Sequence, residues 1–518
     1  MEISYFKKKY PLAWGILSRF IPFLTVVFIL LFILSYFLSK FYKLDIFWWL
    51  VGFLFITFYV WWLIRWLEYV TLVLSWIMRY KNFQKLNIQN IFNENPISKL
   101  EKSYFDKYIN WDLKAKDVYH WLIVPTFNDP VEMIDEVFEN IQKTDYDNKK
   151  ILITLAWEAN DKENFEKIKN QIEKKYKNTF WYLNFTLHKL QPGEIQGKGS
   201  NIKFAAKSTY KDILNIVSKD KVLVHTLDSE SIVQKNYFSA MTLEFCLTDC
   251  EKRHKTIYQP MLFLINRFFE APYFSKIIAL SVWAYILWGS IKWIWTRTQA
   301  VQAQSLKSLL EIDFYSAETI TEDWHQYYRS YCWFNWDFQV KPVYSYVLLE
   351  PVIWKNILET IKLQYNQIRR WAHWCLDLPY LVLCFYEKFN QMPKLRTFYE
   401  IFWLIEASVL WWSLQFILFF WTFFLYFSWN DFWQVLILFN WLAFLILLIL
   451  LLISYWFFPF KVLNTKKKIY EVWKYSLFTF TLMWPLLLLL NWLPALHTQV
   501  MILLWKPMGK FNVTKKYR

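Results

Sequence analysis

Five long stretches without a charged side chain constrain what this chain can become: residues 20–39, 46–64, 407–428, 432–460 and 475–505. A hydrocarbon core about 30 Å thick is crossed by roughly 20 apolar residues, so runs of this length predict membrane spans. Basic residues set their orientation. Lys7, Lys8 and Lys9 hold the amino terminus inside, and two crossings return the chain to the cytoplasm near Arg79 and Lys81. The loop bearing Lys461, Lys466, Lys467, Lys468 and Lys474 is cytoplasmic by the same rule. Residues 475–505 contain Pro485 and Pro494 and would measure about 46 Å as one helix. A tight or partly re-entrant hairpin there keeps the tail Lys515, Lys516 and Arg518 inside. Residues 271–295 are apolar and aromatic but hold Lys276 and Lys292, which predicts a helix lying at the interface.

The first runs are too long for a cleaved signal peptide, and no small-residue cleavage site follows them. Composition agrees with spans alternating with charged blocks: 56% of residues are hydrophobic, yet 20% are charged and the net charge is +16. The lysines are dispersed and no basic-aromatic motif occurs, so no nucleic acid partner is expected. Cys246, Cys250, Cys332, Cys375 and Cys384 form no repeated CxxC pair, which favours reduced thiols over zinc or disulfides. His325 and the Cys246/Cys250 pair read as packed or capping side chains.

Between the spans, residues 115–230 alternate strand and helix patterns. Strands are predicted at 118–125, 151–157, 180–188 and 222–227, and helices at 130–142, 161–175 and 202–217. In the first helix Val131, Ile134, Val137, Phe138 and Ile141 share a face, with Asp129 as cap and Pro130 at the first position. This order implies a mostly parallel sheet covered by helices, whose ligands bind at the carboxyl ends of the strands.

Chemistry-bearing groups follow those strand ends. Asp228-Ser229-Glu230 follows an apolar strand, and two acids one residue apart there can share a divalent cation. Thr321-Glu322-Asp323 offers a carboxylate able to accept a proton, although the same residues suit an ordinary first helical turn. Gln367-Ile368-Arg369-Arg370-Trp371 pairs a diphosphate-clamping guanidinium with a ring that stacks on sugars; a basic amphipathic helix beside the membrane has the same residues.

In chain order, Pro125-Thr126-Phe127-Asn128-Asp129, then the acid pair, then Thr321-Glu322-Asp323, then Gln367–Trp371 resembles membrane-integrated family-2 glycosyltransferases of the cellulose synthase and hyaluronan synthase type. Residues 193–201, carrying Lys198, are similar to the family's lysine-bearing substrate loop. Gln259-Pro260 and the tail Phe511-Asn512-Val513-Thr514-Lys515-Lys516, which matches FxVTxK, resemble further family features. The resemblance implies an α/β GT-A-like (Rossmann-like) cytoplasmic domain with an α-helical transmembrane bundle. Residues 1–79 would form two spans and 80–400 the catalytic domain, with interfacial helices at 271–295 and 350–400. Residues 401–506 would form the later spans and 507–518 a gating tail.

The family's activity would then be inverting transfer of a hexosyl group from a UDP-sugar to a polysaccharide or glycolipid acceptor at the cell membrane, with the catalytic domain cytoplasmic. Asp228 and Glu230 would hold Mg2+ or Mn2+, and Asp323 would be the general base. Thr126, Asp129, Glu158, Lys198 and Asp228 would bind the donor, with Asp161 an alternative to Glu158. Glu322, Gln367, Arg370 and Trp371 would bind diphosphate and acceptor, and Phe511, Val513, Thr514 and Lys516 would gate. The second acid is Glu where the family has Asp, and the chain ends just after FxVTxK, which leaves long-chain synthesis open. Two other readings stand beside this one: a non-processive transferase acting on a lipid-linked acceptor, and a transporter carrying a sugar-binding domain. The later spans hold almost none of the ionisable residues a transport pathway would use.

Seven Gly against 33 Trp is the remaining anomaly, since average usage would give about 36 Gly. Some bacteria read UGA as glycine, and a translation under another code prints Trp. Trp374 stands where the family usually has Gly, and Trp336 is a second position of this kind; if glycine is native at either, the printed side chain would crowd a tight turn.

Overall fold

A computed structural model describes residues 2–42, 45–108, 112–291, 298–335, 337–426 and 488–508, with isolated positions between 438 and 445. Most of the expected span at 432–460, the loop at 461–474, residues 475–487 of the expected hairpin, Trp336 and the tail residues Phe511, Val513, Thr514 and Lys516 lie outside them.

The core is one mixed sheet of eight strands: β1 (Tyr119–Thr126), β2 (Ile151–Glu158), β3 (Tyr182–His188), β4 (Val222–Thr226), β5 (Ile232–Val233), β6 (Thr256–Phe263), β7 (Gln302–Ser305) and β8 (Gln339–Leu348). Their order is β3-β2-β1-β4-β7-β6-β8-β5. The first four pair in parallel, and β7 runs antiparallel between β4 and β6. The β-α-β half therefore forms as expected, because helices cover both faces and leave β2 and β4 buried along their whole length. Beneath β1 and β4, Thr242, His120, His225 and Tyr237 join in one buried hydrogen-bonded line. Burial pushes His225 down to about 3, so the line is neutral.

Two local expectations shift. The first helix is Val131–Gln142, capped at Pro130. Asp129 is not its cap: its carboxylate turns back to accept the Phe127 N–H at 3.1 Å, over Asn128 at φ 55°. Lys198 opens the helix Lys198–Ile216 instead of lying in a loop. Residues 271–295 contain the expected apolar helix, Tyr273–Ile291.

Among the described residues one helical stretch, Pro11–Leu31, is long and apolar enough to cross a membrane. It lies within the helix Pro11–Tyr42, which packs against Lys394–Tyr426 and Leu493–Leu503. The helix Asp45–Phe83 follows it, and Arg65 there pairs with Glu406 at 3.0 Å.

Trp374 lies in the 3-10 turn Ala372–Leu376 and is absent from the residues of positive φ, so its backbone makes no demand for glycine. Trp505 does. It follows Leu493–Leu503 with φ 60°, and Lys506 N–H donates to Met501 O at 2.8 Å across it. That is the left-handed helix stop where glycine is usual. The Trp505 ring also meets the Arg19 guanidinium carbon at 2.7 Å from its centroid, inside ordinary contact. Trp505→Gly is expected to stabilise the protein by about 1 kcal/mol, read as a higher unfolding temperature, and codon 505 is expected to be UGA; a lower unfolding temperature together with a UGG codon would contradict both statements.

Candidate active site

The carboxyl ends of β1, β2 and β4 open into a cavity of about 320 Å³. Thr126, Asp129, Glu158, Lys198, Asp228, Glu230, Glu322, Asp323, Gln367, Arg370 and Trp371, predicted from separated parts of the sequence, all line it. Thr126 and Glu158 end β1 and β2, and Asp228 follows β4 by two residues. Of the two alternatives, Glu158 faces the cavity and accepts from Gln196 Nε2 at 2.8 Å. Asp161 instead accepts from the Asn128 N–H and the Trp157 indole.

Lys198 is the centre. Its Nζ lies 2.7 Å from Asp228 Oδ1 and 3.7 Å from Glu322 Oε1, and donates to Ala300 O at 2.8 Å. Gln259 holds that last segment: it accepts from Gln299 N–H at 2.9 Å and donates to Val301 O at 2.8 Å. The Gln-Pro pair thus sets the backbone on which the lysine rests.

Glu322 and Asp323 occupy the first turn of the helix Glu322–Trp333. Helix start and acid pair, posed as alternatives by the sequence, are one feature: the turn aims both carboxyls into the cavity. Thr298 Oγ1 donates to Asp323 O and fixes that turn. Arg370 closes the site from the end of Ile357–Trp371 and is 7% exposed. Burial lowers it to about 10 against the pull of Glu322, Asp228 and Asp323, and it stays charged at neutral pH. The amphipathic-helix reading holds for the outer face of that helix but not for Arg370.

Burial raises Glu322 to about 8, opposed by Lys198 and reinforced by Asp323, and burial raises Asp323 as well. The three carboxylates around Lys198 keep that amine protonated despite its burial. One pH effect follows. Above its ordinary value of 4.5 Glu322 ionises freely in the unfolded chain, but in the folded protein it resists until about 8. Stability of the donor-free protein in EDTA should therefore fall as pH rises through that window. Melting temperatures from pH 5 to 8 test this, and Glu322→Gln should flatten the slope; an unchanged slope in the variant would contradict the assignment.

Seven acidic side chains, of which burial holds Glu322 protonated up to about pH 8, and two cations, Lys198 and Arg370, line the cavity. A diphosphate would enter against that excess of negative charge, and a divalent cation would offset it. Asp228 and Glu230 supply the hard oxygen donors that Mg2+ or Mn2+ prefers. Glu230 also accepts from the Glu350 N–H at 3.3 Å. Among the described residues no group of three His, Cys, Asp or Glu side chains is placed to hold a metal alone, so phosphate oxygens would have to complete the shell.

Gln299 and Glu350 also line the cavity without any motif to mark them, and Asn201, the last residue of the 193–201 segment, lines it although only Lys198 is expected to. Asn201 lies one helical turn after Lys198 and donates to Ala156 O at 2.8 Å. Glu2 was equally unmarked. Its carboxylate ties Lys203, on the Lys198 helix, to Arg329, on the Asp323 helix, at 2.9 Å each.

No protein family and no curated protein matches the chain by sequence. Among solved structures it is similar to the mannosyltransferase PcManGT from Pyrobaculum calidifontis in complex with GDP-Man and Mn2+. That likeness has 10% identity and a TM-score of 0.37, and covers 74% of this chain and 97% of that one. It is also similar to S. aureus TarS 1-349 in complex with UDP-GlcNAc, at 14% identity and a TM-score of 0.31, covering 48% of this chain and 66% of that one. Likenesses of this size carry no weight for function.

Proposed function

We propose that this protein is an inverting glycosyltransferase that moves a hexosyl group from a nucleotide-sugar, of the UDP class, to a hydroxyl of a glycan or lipid-linked acceptor at the cell membrane. The observation that supports it best is convergence. Asp228, Glu322, Asp323, Arg370 and Lys198 come from four separate chain segments and line one cavity at the ends of parallel strands.

In this reading Asp323 accepts the acceptor hydroxyl proton as that oxygen bonds to the anomeric carbon. The bond from that carbon to the diphosphate breaks on the opposite side, which inverts the centre. Lys198 and Arg370 take up the charge on the departing diphosphate. A bound Mg2+ or Mn2+, held by Asp228 and Glu230, would add Lewis-acid stabilisation there. Thr126, Asp129 and Glu158 border the nucleotide end, and Gln367 and Trp371 the acceptor end. The five uncharged runs of the sequence are the ground for reading a multi-pass membrane protein with this domain cytoplasmic; among the described residues one helical stretch, Pro11–Leu31, is long and apolar enough to cross a membrane. Residues 511–516 would close over the bound nucleotide.

Calorimetry with UDP-sugars tests the metal step. Affinity should be at least tenfold higher with Mn2+ than with EDTA, and Asp228→Asn should erase the difference. Equal affinity in both buffers would remove metal-bridged binding.

A further inference from the structure

The cavity does not end at the carboxylates. It continues along one face of the helix Tyr273–Ile291, where Ile278, Ser281, Val282, Tyr285 and Ile286 line it at helical spacing. Leu262, Leu264 and Leu349 line it as well. Ser281 spends its hydroxyl on Ile277 O of its own helix at 2.9 Å. Trp374 and Trp324 line the same space, their rings 4.4 Å apart and tilted by 36°, and Trp324 follows Asp323 directly in the chain.

Chemistry separates the two acceptor classes. Each sugar of a glycan carries several hydroxyls, and drawing them past Ile278, Val282 and Ile286 would strip their water without replacing it. A hydrocarbon chain has nothing to lose there, and each buried methylene tightens binding about fourfold. The wall also leads toward apolar helices: Tyr273–Ile291 packs on Asp45–Phe83.

We propose that the acceptor is amphipathic, a sugar or other hydroxyl-bearing head placed over Trp374 at Asp323 and a hydrocarbon tail lying along Ile278, Val282 and Ile286. This rests on the glycosyltransferase reading and narrows it to lipid-linked acceptors. An acyl and a prenyl tail satisfy the wall equally, so both belong in the test.

The full chain in nanodiscs is assayed with labelled UDP-glucose, UDP-GlcNAc and GDP-mannose in Mn2+. The acceptors are methyl, octyl and farnesyl glucosides below their micelle concentrations, and cellotetraose. KM should fall at least thirtyfold from methyl to octyl or farnesyl glucoside at similar kcat, and whichever tail falls further identifies the lipid class. Val282→Asn with Ile286→Asn should bring that ratio below about threefold while nucleotide-sugar Kd stays within threefold. Ile286→Ala, a milder change should the double variant not fold, should lower the ratio in the same direction. Cellotetraose used as well as octyl glucoside, or a ratio unaltered in folded variants, overturns the proposal and leaves the transferase reading standing. Absence of nucleotide-sugar binding in calorimetry overturns both.

Discussion

Asp323→Asn is expected to lower kcat by about 10²–10⁴-fold, the range general-base groups supply, and to leave nucleotide-sugar Kd within about threefold. The amide has the same shape but cannot accept the acceptor proton, so the loss belongs to turnover and not to donor binding. The surroundings of Asp323 support this assignment over its neighbour. Both acids are raised by burial, but Glu322 Oε1 lies 3.7 Å from Lys198 Nζ, whereas Asp323 Oδ1 accepts the N–H of its neighbour Trp324 at 2.9 Å. Glu322→Gln should therefore weaken donor binding more than Asp323→Asn does. Single-turnover rates and calorimetry on both variants separate these effects. Near wild-type turnover in Asp323→Asn would refute the base assignment.

Gly199→Ala is expected to lower kcat by about 10- to 100-fold although position 199 touches no reacting atom. A Cβ there would stand 2.6 Å from Ser316 O and 3.0 Å from Glu322 Cβ. The Ser316 contact is with backbone, so it cannot be relieved by a side-chain swing. Either the Lys198 helix or the turn bearing Glu322 and Asp323 must retreat, and displacements of this order cost catalysts about 10²-fold at 1 Å. Overpacking should also cost about 1–3 kcal/mol of stability. Gly289→Ala is the matched control, since nothing lies within 4 Å of a Cβ at that position. Equal kcat for the two variants would show that the close approach of these helices does not set the site.

The parallel half of the sheet was legible because its strands are short apolar runs separated by amphipathic helices. β6, β7 and β8 were not. β7 is Gln-Ala-Gln-Ser, a polar sequence buried because Gln304 donates to Ser308 Oγ at 2.7 Å and the ladder satisfies its backbone. β8 contains Pro342 and alternates in burial, which reads as irregular chain without its neighbours. In the site, ionisable residues at strand ends and helix starts were legible because chemistry restricts their type. Gln299 and Glu2 were silent, since an amide or a lone acid has no spacing that distinguishes it. The cap at Asp129 was misplaced by one residue because Pro130 fits either the cap or the first turn, and only the Phe127 N–H decides between them.

The proposed reaction is nucleotide-sugar binding in the Lys198-centred cavity followed by transfer of the sugar. Purified protein incubated with Mn2+ and single labelled UDP- and GDP-sugars, in the presence of membrane lipid, tests it most directly. Nucleoside diphosphate release is expected to be coupled one-to-one to label entering a larger product with inverted anomeric configuration, for one nucleotide class and not in Asp323→Asn. Release and transfer undiminished in Asp323→Asn, or no binding of any nucleotide-sugar by protein shown to be folded, would contradict it.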